Sequence, residues 1–299
     1  MHPYVWRMVV ERKSTVRARE LGAALRRAMN EAGFDNRTVA RRLGWSDTKV
    51  SLMLSGERST PVEDVSAVLA ICGVKGEERK RLLRLCREAK QVGWWQRHGS
   101  HLPKELRTFI DHESAAVAIH SFQPQLVPGL LQTADYMRAV MRASATFPVD
   151  ETEERVAARL ARQAIFDRFR SPRFTYFVHE FALPLPVGGP EVMSDQLHHL
   201  LRMSVRPYVA LRVIPAAAGA HAGACGAFQL LEFAETPPVV YLEHDTASLF
   251  LEETAELAAY LAILTSLDLT ALDLPQSRKL ISHVASEFGG TREEPDDSS

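Results

Sequence analysis

Cysteine is scarce in this chain: Cys72, Cys86 and Cys225 are the only three among 299 residues, and none form a C-x-x-C pair. An odd, sparse set supplies neither a disulfide framework nor a zinc ribbon, and it predicts buried thiols in a reducing compartment, the cytoplasm. Long apolar runs are also missing. Nothing approaches the about 18 to 20 residues a membrane-spanning helix requires, and MHPYVWRMVVERK has too short an apolar stretch for a secretory signal, so no membrane association is expected. The chain lacks a G-x-S-x-G elbow, a Walker or dinucleotide glycine pattern, and the Lys that would follow a phosphate loop at 215–226, which removes the usual marks of hydrolases, NTPases and dehydrogenases. His179/Glu180, His198/His199, His221/Cys225 and His244/Asp245 are residue types that handle metals or protons, yet none has a specific spacing. His221-x-x-x-Cys225 offers two ligands where zinc needs three or four. The expectation is therefore no enzyme, no metal and no cofactor.

What the chain does contain is enough apolar material for a real core, 46% of residues, and a length that favours two domains. The formal net charge of −1 conceals an asymmetry: residues 1 to 90 hold 19 Lys+Arg against 11 Asp+Glu, a net +8, and the remainder 17 against 26, a net −9. A positive domain attracts a polyanion and speeds encounter with it, while an acidic neighbour limits indiscriminate sticking. Part of that positive charge, Arg79, Lys80, Arg81, Arg84 and Arg87, fits equally well the solvated face of one helix.

The most informative stretch is DNRTVARRLGWSDTKVSLMLSGERSTP, residues 35 to 61. Asp35 can cap a short helix whose apolar positions Val39, Ala40 and Leu43 share one face, and Gly44 can turn the chain at positive φ. Trp45 packs and Ser46 caps a second helix. From Asp47 that helix turns Val50 and Met53 inward and leaves Asp47, Thr48, Lys49, Ser51 and Leu52 on the outer, recognition face. The bland alternative is an ordinary helical hairpin with glycine at its bend. The pattern A-x-x-L-G-x-S from Ala40 to Ser46, then V-S-x-x-x-x-G from Val50 to Gly56, resembles the Cro/repressor class of helix-turn-helix domains, the XRE family. That resemblance implies Asp47, Thr48 and Leu52 over base edges, with Asp47 doing duty equally well as a helix N-terminal charge. It implies Asn36, Arg37, Lys49 and Arg58 near phosphates. Relatives often carry Arg or Glu where this chain has Leu52 and Leu54, so the electrostatic contact of this helix rests on Lys49.

Around the motif, periodicity predicts a helix at about 17 to 32 ending on Gly33, a fourth opened by Pro61 and stopped by Gly73, and a fifth from Gly76 to about Lys90. Residues 1 to 14 read as a loose arm. The stretch from Gln91 to His101, with Trp94 and Trp95, reads as a linker whose tryptophans dock a neighbour rather than stack on bases. Beyond it, helical spacing follows Gly129, and residues 151 to 170 predict a long helix with Val156, Leu160, Ala164 and Ile165 buried and Arg155, Arg159, Arg162 and Arg168 in solvent. Strands are expected at 174–179, 208–214, 228–233 and 239–243, with helices near 191–203, 252–267 and 276–287. An acidic disordered tail follows from 289.

The stretches PQLVPGLLQTADYMRAVM, RLARQAIF, VGGPEVMSDQLHHLL, LRVIPAAAGAH, GAFQLLEF and VVYLEH are similar, in sequence and order, to the α+β domain of unknown function that follows the helix-turn-helix in many actinobacterial, antitoxin-like regulators. The resemblance implies regulation, not chemistry. The reading is thus a mainly α five-helix repressor-type domain at 15–90 and an α+β regulatory or interaction domain at 102–288, in a sequence-specific transcriptional regulator. Its expected partners are double-stranded DNA, a second copy of itself and a small protein encoded nearby. An antitoxin-like or ligand-responsive interaction protein, whose DNA binding serves autoregulation, is the alternative.

Overall fold

A computed structural model describes residues 16–56, 60–90, 104–146, 148–169, 171–244 and 247–289. The arm at 1–14, the linker at 91–101 with its two tryptophans, Arg58, Asp245 and the tail from 290 lie outside the described residues. The chain divides into two compact units, residues 1–97 with 234–236, and residues 98–233 with 237–299.

In the first unit, α1 (Val16–Glu31), α2 (Asn36–Leu43), α3 (Asp47–Ser55), α4 (Val62–Ile71) and α5 (Gly76–Lys90) surround one aliphatic core. Leu25, Val39, Val50, Val65, Val68 and Leu69 at its centre are fully buried, and Cys86 joins them. Local chemistry sets the breaks. α1 ends on Gly33 at φ 71°, where Phe34 N–H returns to Met29 O at 2.8 Å, a closure that needs a left-handed residue.

The second unit is built on a six-stranded sheet in the order β3-β2-β1-β4-β5-β6, with β1 (Ala118–Gln123), β2 (Arg173–His179), β3 (Val209–Ile214), β4 (Phe228–Glu232), β5 (Val239–Glu243) and β6 (Ser248–Leu251). β1, β2 and β3 run parallel; β4, β5 and β6 are antiparallel to their neighbours. Alternation along β2 divides the core. Phe174, Tyr176 and Val178 join the cluster with Met193, Leu197, Leu200, Ile281 and Val284, from α9 (Pro190–Ser204) and α11 (Leu274–Gly289). Phe177 faces the other way and packs with Phe122, Phe228, Leu257, Leu264 and Leu267, the last three from α10 (Thr254–Thr270). The remaining helices are α6 (Lys104–Ala115), α7 (Ala134–Ala143) and α8 (Thr152–Arg162), with α7 and α8 inside the β1-to-β2 crossover. The PQLVPGLLQT segment is fastened to α9 by buried Gln196, which accepts from Thr133 N–H and donates to Leu131 O, both at 2.7 Å. Among the described residues no single helix is long and apolar enough to cross a membrane.

A mainly α first unit and an α+β second one are what the periodicity predicts, but four details differ. β1, β6 and α6 were not expected. The helix at 151–170 stops at Arg162 and continues only as a 3-10 turn at Gln163–Asp167. Its faces match the expectation only in part: Val156 and Ile165 are buried and Arg168 is exposed, but Leu160 is 37% exposed, whereas the Arg162 side chain is 10% exposed and grips Glu113, 2% exposed, with two hydrogen bonds of 2.7 and 2.8 Å. The buried carboxylate supplies what solvent was expected to supply. Finally, Cys225 is exposed rather than buried, while Cys86 is buried and Cys72 intermediate.

Candidate nucleic-acid interface

The interface is assembled from two capped helices. Asp35, extended at φ −88° and ψ 173°, accepts from Thr38 N–H at 2.8 Å and starts α2. Thr38, through its hydroxyl first and its N–H second, holds the exposed Asp35 carboxyl below the usual aspartate range. Gly44 ends α2 at φ 65°, with Trp45 N–H bonding Ala40 O at 2.8 Å. Ser46 then caps α3 by accepting from Lys49 N–H at 3.2 Å, and Gly56 closes it at φ 71°.

Burial divides α3. Val50, Met53 and Leu54 lie in the core, Asp47, Thr48 and Ser51 are exposed, and Leu52 is half-buried between them. Leu54 packs inward beside Met53 because α1 covers the end of α3. The approach of α1 is unusually close. A Cβ on Gly22 would sit 2.1 Å from Leu54 O, and Arg26 reaches the same carbonyl at 3.4 Å. Gly22 thus sets the depth of α3, a role the sequence reading missed; a glycine in mid-helix, unfavourable by itself, was the available signal.

The charged residues are unequal. Asn36 and Arg37 are exposed at the start of α2, and Arg37 Nε lies 3.9 Å from Asp47 Oδ2, an exposed and weak pair. Ser46 is exposed too. Lys49 is tied down: its Nζ meets Asp64 Oδ2 at 2.9 Å and rests over the Trp45 ring at 3.8 Å. The one cation expected to carry the electrostatics of α3 is thus partly neutralised from α4. Arg41, exposed one turn after Arg37 on the same side of α2, is a further candidate phosphate contact that was not singled out.

His179 and His221 come together, stacked at 5.3 Å, each accepting through Nδ1 from a nearby N–H, of Phe181 at 3.2 Å and Gly223 at 3.1 Å. Burial, then the neighbouring His221, pushes the His179 pKa down. Both rings brace loops. Among the described residues no three His, Cys, Asp or Glu gather as metal ligands would.

Two capped helices, a left-handed glycine turn and a second helix with one buried and one open face define a helix-turn-helix, a DNA-binding unit that points to transcriptional regulation. A family model described as a helix-turn-helix domain matches residues 20–82. A second, described as a domain of unknown function (DUF5753), matches residues 106–283, more than half of the chain, and the chain belongs to that family. No curated protein and no solved structure matches it.

Proposed function

We propose that this protein is a sequence-specific, XRE-type transcriptional regulator that reads base edges with α3 and uses its second unit for dimerisation, partner or signal binding. The observation that carries this reading is the open face of α3: Asp47, Thr48 and Ser51 are exposed on a helix whose opposite side is fully packed. Thr48 and Ser51 bring hydroxyls that pair with several base edges, Leu52 brings an apolar contact for a thymine methyl, and Asp47 accepts from a cytosine amino group. Asn36, Arg37 and Arg58 hold phosphates, and Lys49, its charge shared with Asp64, does so only in part, which fixes position without reading sequence. Selection of bound sites from random duplexes, followed by sequencing, tests this. A defined motif for the unmodified chain, relaxed at specific positions by Thr48→Ala and Leu52→Ala, is expected; an unchanged motif in both variants overturns the assignment.

One such helix meets few base pairs, because a single module buries only roughly 600 to 1,000 Å², so two half-sites read by a homodimer are part of the proposal. Leu261 and Leu269 support a self-association surface, being 44% and 84% exposed on the outer side of α10. Sedimentation of the full chain with and without its selected DNA decides this, and a monomer under both conditions excludes it. A small protein seated on the same leucines is the antitoxin-like version, supported by the same exposure.

A further inference from the structure

The two edges of the six-stranded sheet are finished differently. At the β3 edge, Val213 has both backbone groups taken by the turn into α11: its N–H donates to Ser277 Oγ at 3.0 Å, and its carbonyl accepts from Leu272 N–H at 2.9 Å. Arg212 adds hydrogen bonds to Leu272 O and Ala271 O, at 2.8 and 2.7 Å. A further strand cannot pair with Val213 without displacing them. β6, at the other edge, has no such cover among the described residues, and none of its four residues is buried. An open edge is a template for another strand, which is why folds usually blunt it.

The ladder to β5 fixes which groups of β6 are on offer. His244 N–H donates to Ala247 O at 2.9 Å, so these two residues form a hydrogen-bonded pair. With Leu242 opposite Leu249 and Val240 opposite Leu251, the alternation of an antiparallel ladder then turns the backbone groups of Leu249 and Leu251 toward β5. Ser248 and Phe250 turn theirs outward, and among the described residues neither N–H nor C=O of either has a partner. Side chains alternate in the same register. Leu249, 55% exposed, lies on the α10 face, where Leu242 and Leu251 pack against the cluster of Leu257, Leu264 and Leu267. Phe250 lies on the opposite face, stacked on His112 at 5.1 Å.

We infer that β6 pairs antiparallel with β6 of a second copy of this chain, about a two-fold axis through Leu249, so that the two sheets become one. The inference rests on the homodimer reading and names its surface. This register uses every outward group within the strand, because Ser248 stands opposite Phe250 of the second copy and each such pair exchanges two hydrogen bonds. A second copy also fits by size. On one face small Ser248 meets large Phe250, and on the other Leu249 meets its own copy as a non-hydrogen-bonded pair, with Cα atoms about 4.5 Å apart, which covers an exposed leucine. Leu261 of α10, 44% exposed, lies on that same side of the sheet. Charge opposes the pairing: Glu252 and Glu253 follow the strand, in the half of the chain that carries a net −9. Association through this edge is therefore weak and strengthens as salt screens the repulsion, opposite in sign to the salt dependence of DNA binding.

Disulfide trapping of the full chain, without DNA, tests the register. In a Cys225→Ser background, which removes the exposed native thiol, Leu249→Cys puts two thiols on the axis, at a Cα separation within the roughly 4.4 to 6.8 Å that a disulfide accepts. Mild oxidation is expected to give mostly covalent dimer, and at least about tenfold less from Val205→Cys, a control position 69% exposed. Sedimentation supplies the reversible arm. The wild-type chain should associate more tightly as salt rises, and Leu249→Lys, which sets two ammonium groups face to face yet stays in solvent in the monomer, should weaken association by at least about tenfold. Ser248→Pro removes one outward N–H per copy, spares the bonds to β5 and should act in the same direction. Cross-linking of Leu249→Cys no faster than that of Val205→Cys, or a dimer of unchanged affinity in Leu249→Lys, would overturn the edge pairing and leave the homodimer reading standing on another surface. A monomeric wild-type chain, with and without its selected DNA, would overturn both, whether β6 stays open or is taken by a different protein.

Discussion

Helices α3 and α8 carry polar residues with the same periodicity and use them in opposite ways. α3 shows Asp47, Thr48 and Ser51 to solvent and buries Val50, Met53 and Leu54, as an amphipathic pattern predicts. α8 buries Arg162 and leaves Leu160 partly in water. What differs is the surface beneath. Under α3 lie aliphatic side chains of the first core; under α8 lies Glu113, within bidentate reach of Arg162. A charged side chain turns inward where a matching buried charge meets it with good geometry, and the rule that charge faces water then inverts.

The sharpest way to break this comparison is to remove the buried partner. Glu113→Ala leaves the Arg162 guanidinium desolvated and unpaired, and a loss of about 3 to 5 kcal/mol in denaturant unfolding is expected. Replacing both residues together, Glu113→Met with Arg162→Leu, should recover most of that, because the cost lies in the orphaned charge rather than in the pair. A loss under about 1 kcal/mol for Glu113→Ala, the range of an exposed pair, would mean that Arg162 reaches water and that α8 is not the inverse of α3.

The α3 side of the comparison depends on Gly22. In Gly22→Ala the new methyl meets backbone, Leu54 O at 2.1 Å, not a flexible side chain, so α1 and α3 must separate. Overpacking of this kind costs about 1 to 3 kcal/mol. Because α3 carries the open face, affinity for the selected DNA should fall further than overall stability does; equal affinity at full folding would show that the depth of α3 does not matter.

These cases mark what the sequence made legible. Asp35, Gly44, Ser46 and Gly56 act on their own neighbours, so the helix-turn-helix and its open face could be placed from local signals. The strands β2 to β5 announced themselves by β-branched and aromatic runs. β1 did not, because AIHSFQ runs straight into Pro124 and its identity comes from pairing with β2 and β4, far away in the chain. The inward arginines were hidden for the same reason: Glu113 lies 49 residues from Arg162. The close approach of Gly22 to Leu54 O, which sets how deep α3 sits, is likewise a tertiary fact.

Titration gives a smaller effect. The folded-state pKa of His179 is depressed, first by burial and then by His221, and that of His199 is depressed by burial and then by Arg202 and Arg206. Below the ordinary histidine value of 6.5 the unfolded chain therefore binds more protons than the folded one, and stability falls as pH drops. Protonation of Nδ1 also ends the hydrogen bonds from Phe181 and Gly223. Melting temperature should decline between pH 7.5 and 5.5, less steeply in His179→Gln. Parallel curves for the two proteins would dismiss the stacked pair as a source of the decline.

The smallest expected effect concerns the charge that α3 lacks. Lys49 is shared between Asp64 and the Trp45 ring, and Asp64→Asn leaves it over the ring with its full charge beside the recognition face. Stability should change by less than about 1 kcal/mol, as for other partly exposed pairs. DNA binding should respond differently. A freed cation adds about one phosphate contact, steepening the dependence of log affinity on log salt by about 0.9, and since phosphates carry no sequence, selected and random duplexes should gain alike. Lys49→Ala should flatten the slope only slightly in the unmodified background and by a full contact in the Asp64→Asn background. If Asp64→Asn and wild type share one slope, Lys49 does not reach a phosphate, and the polarity of α3 works through hydrogen bonding alone.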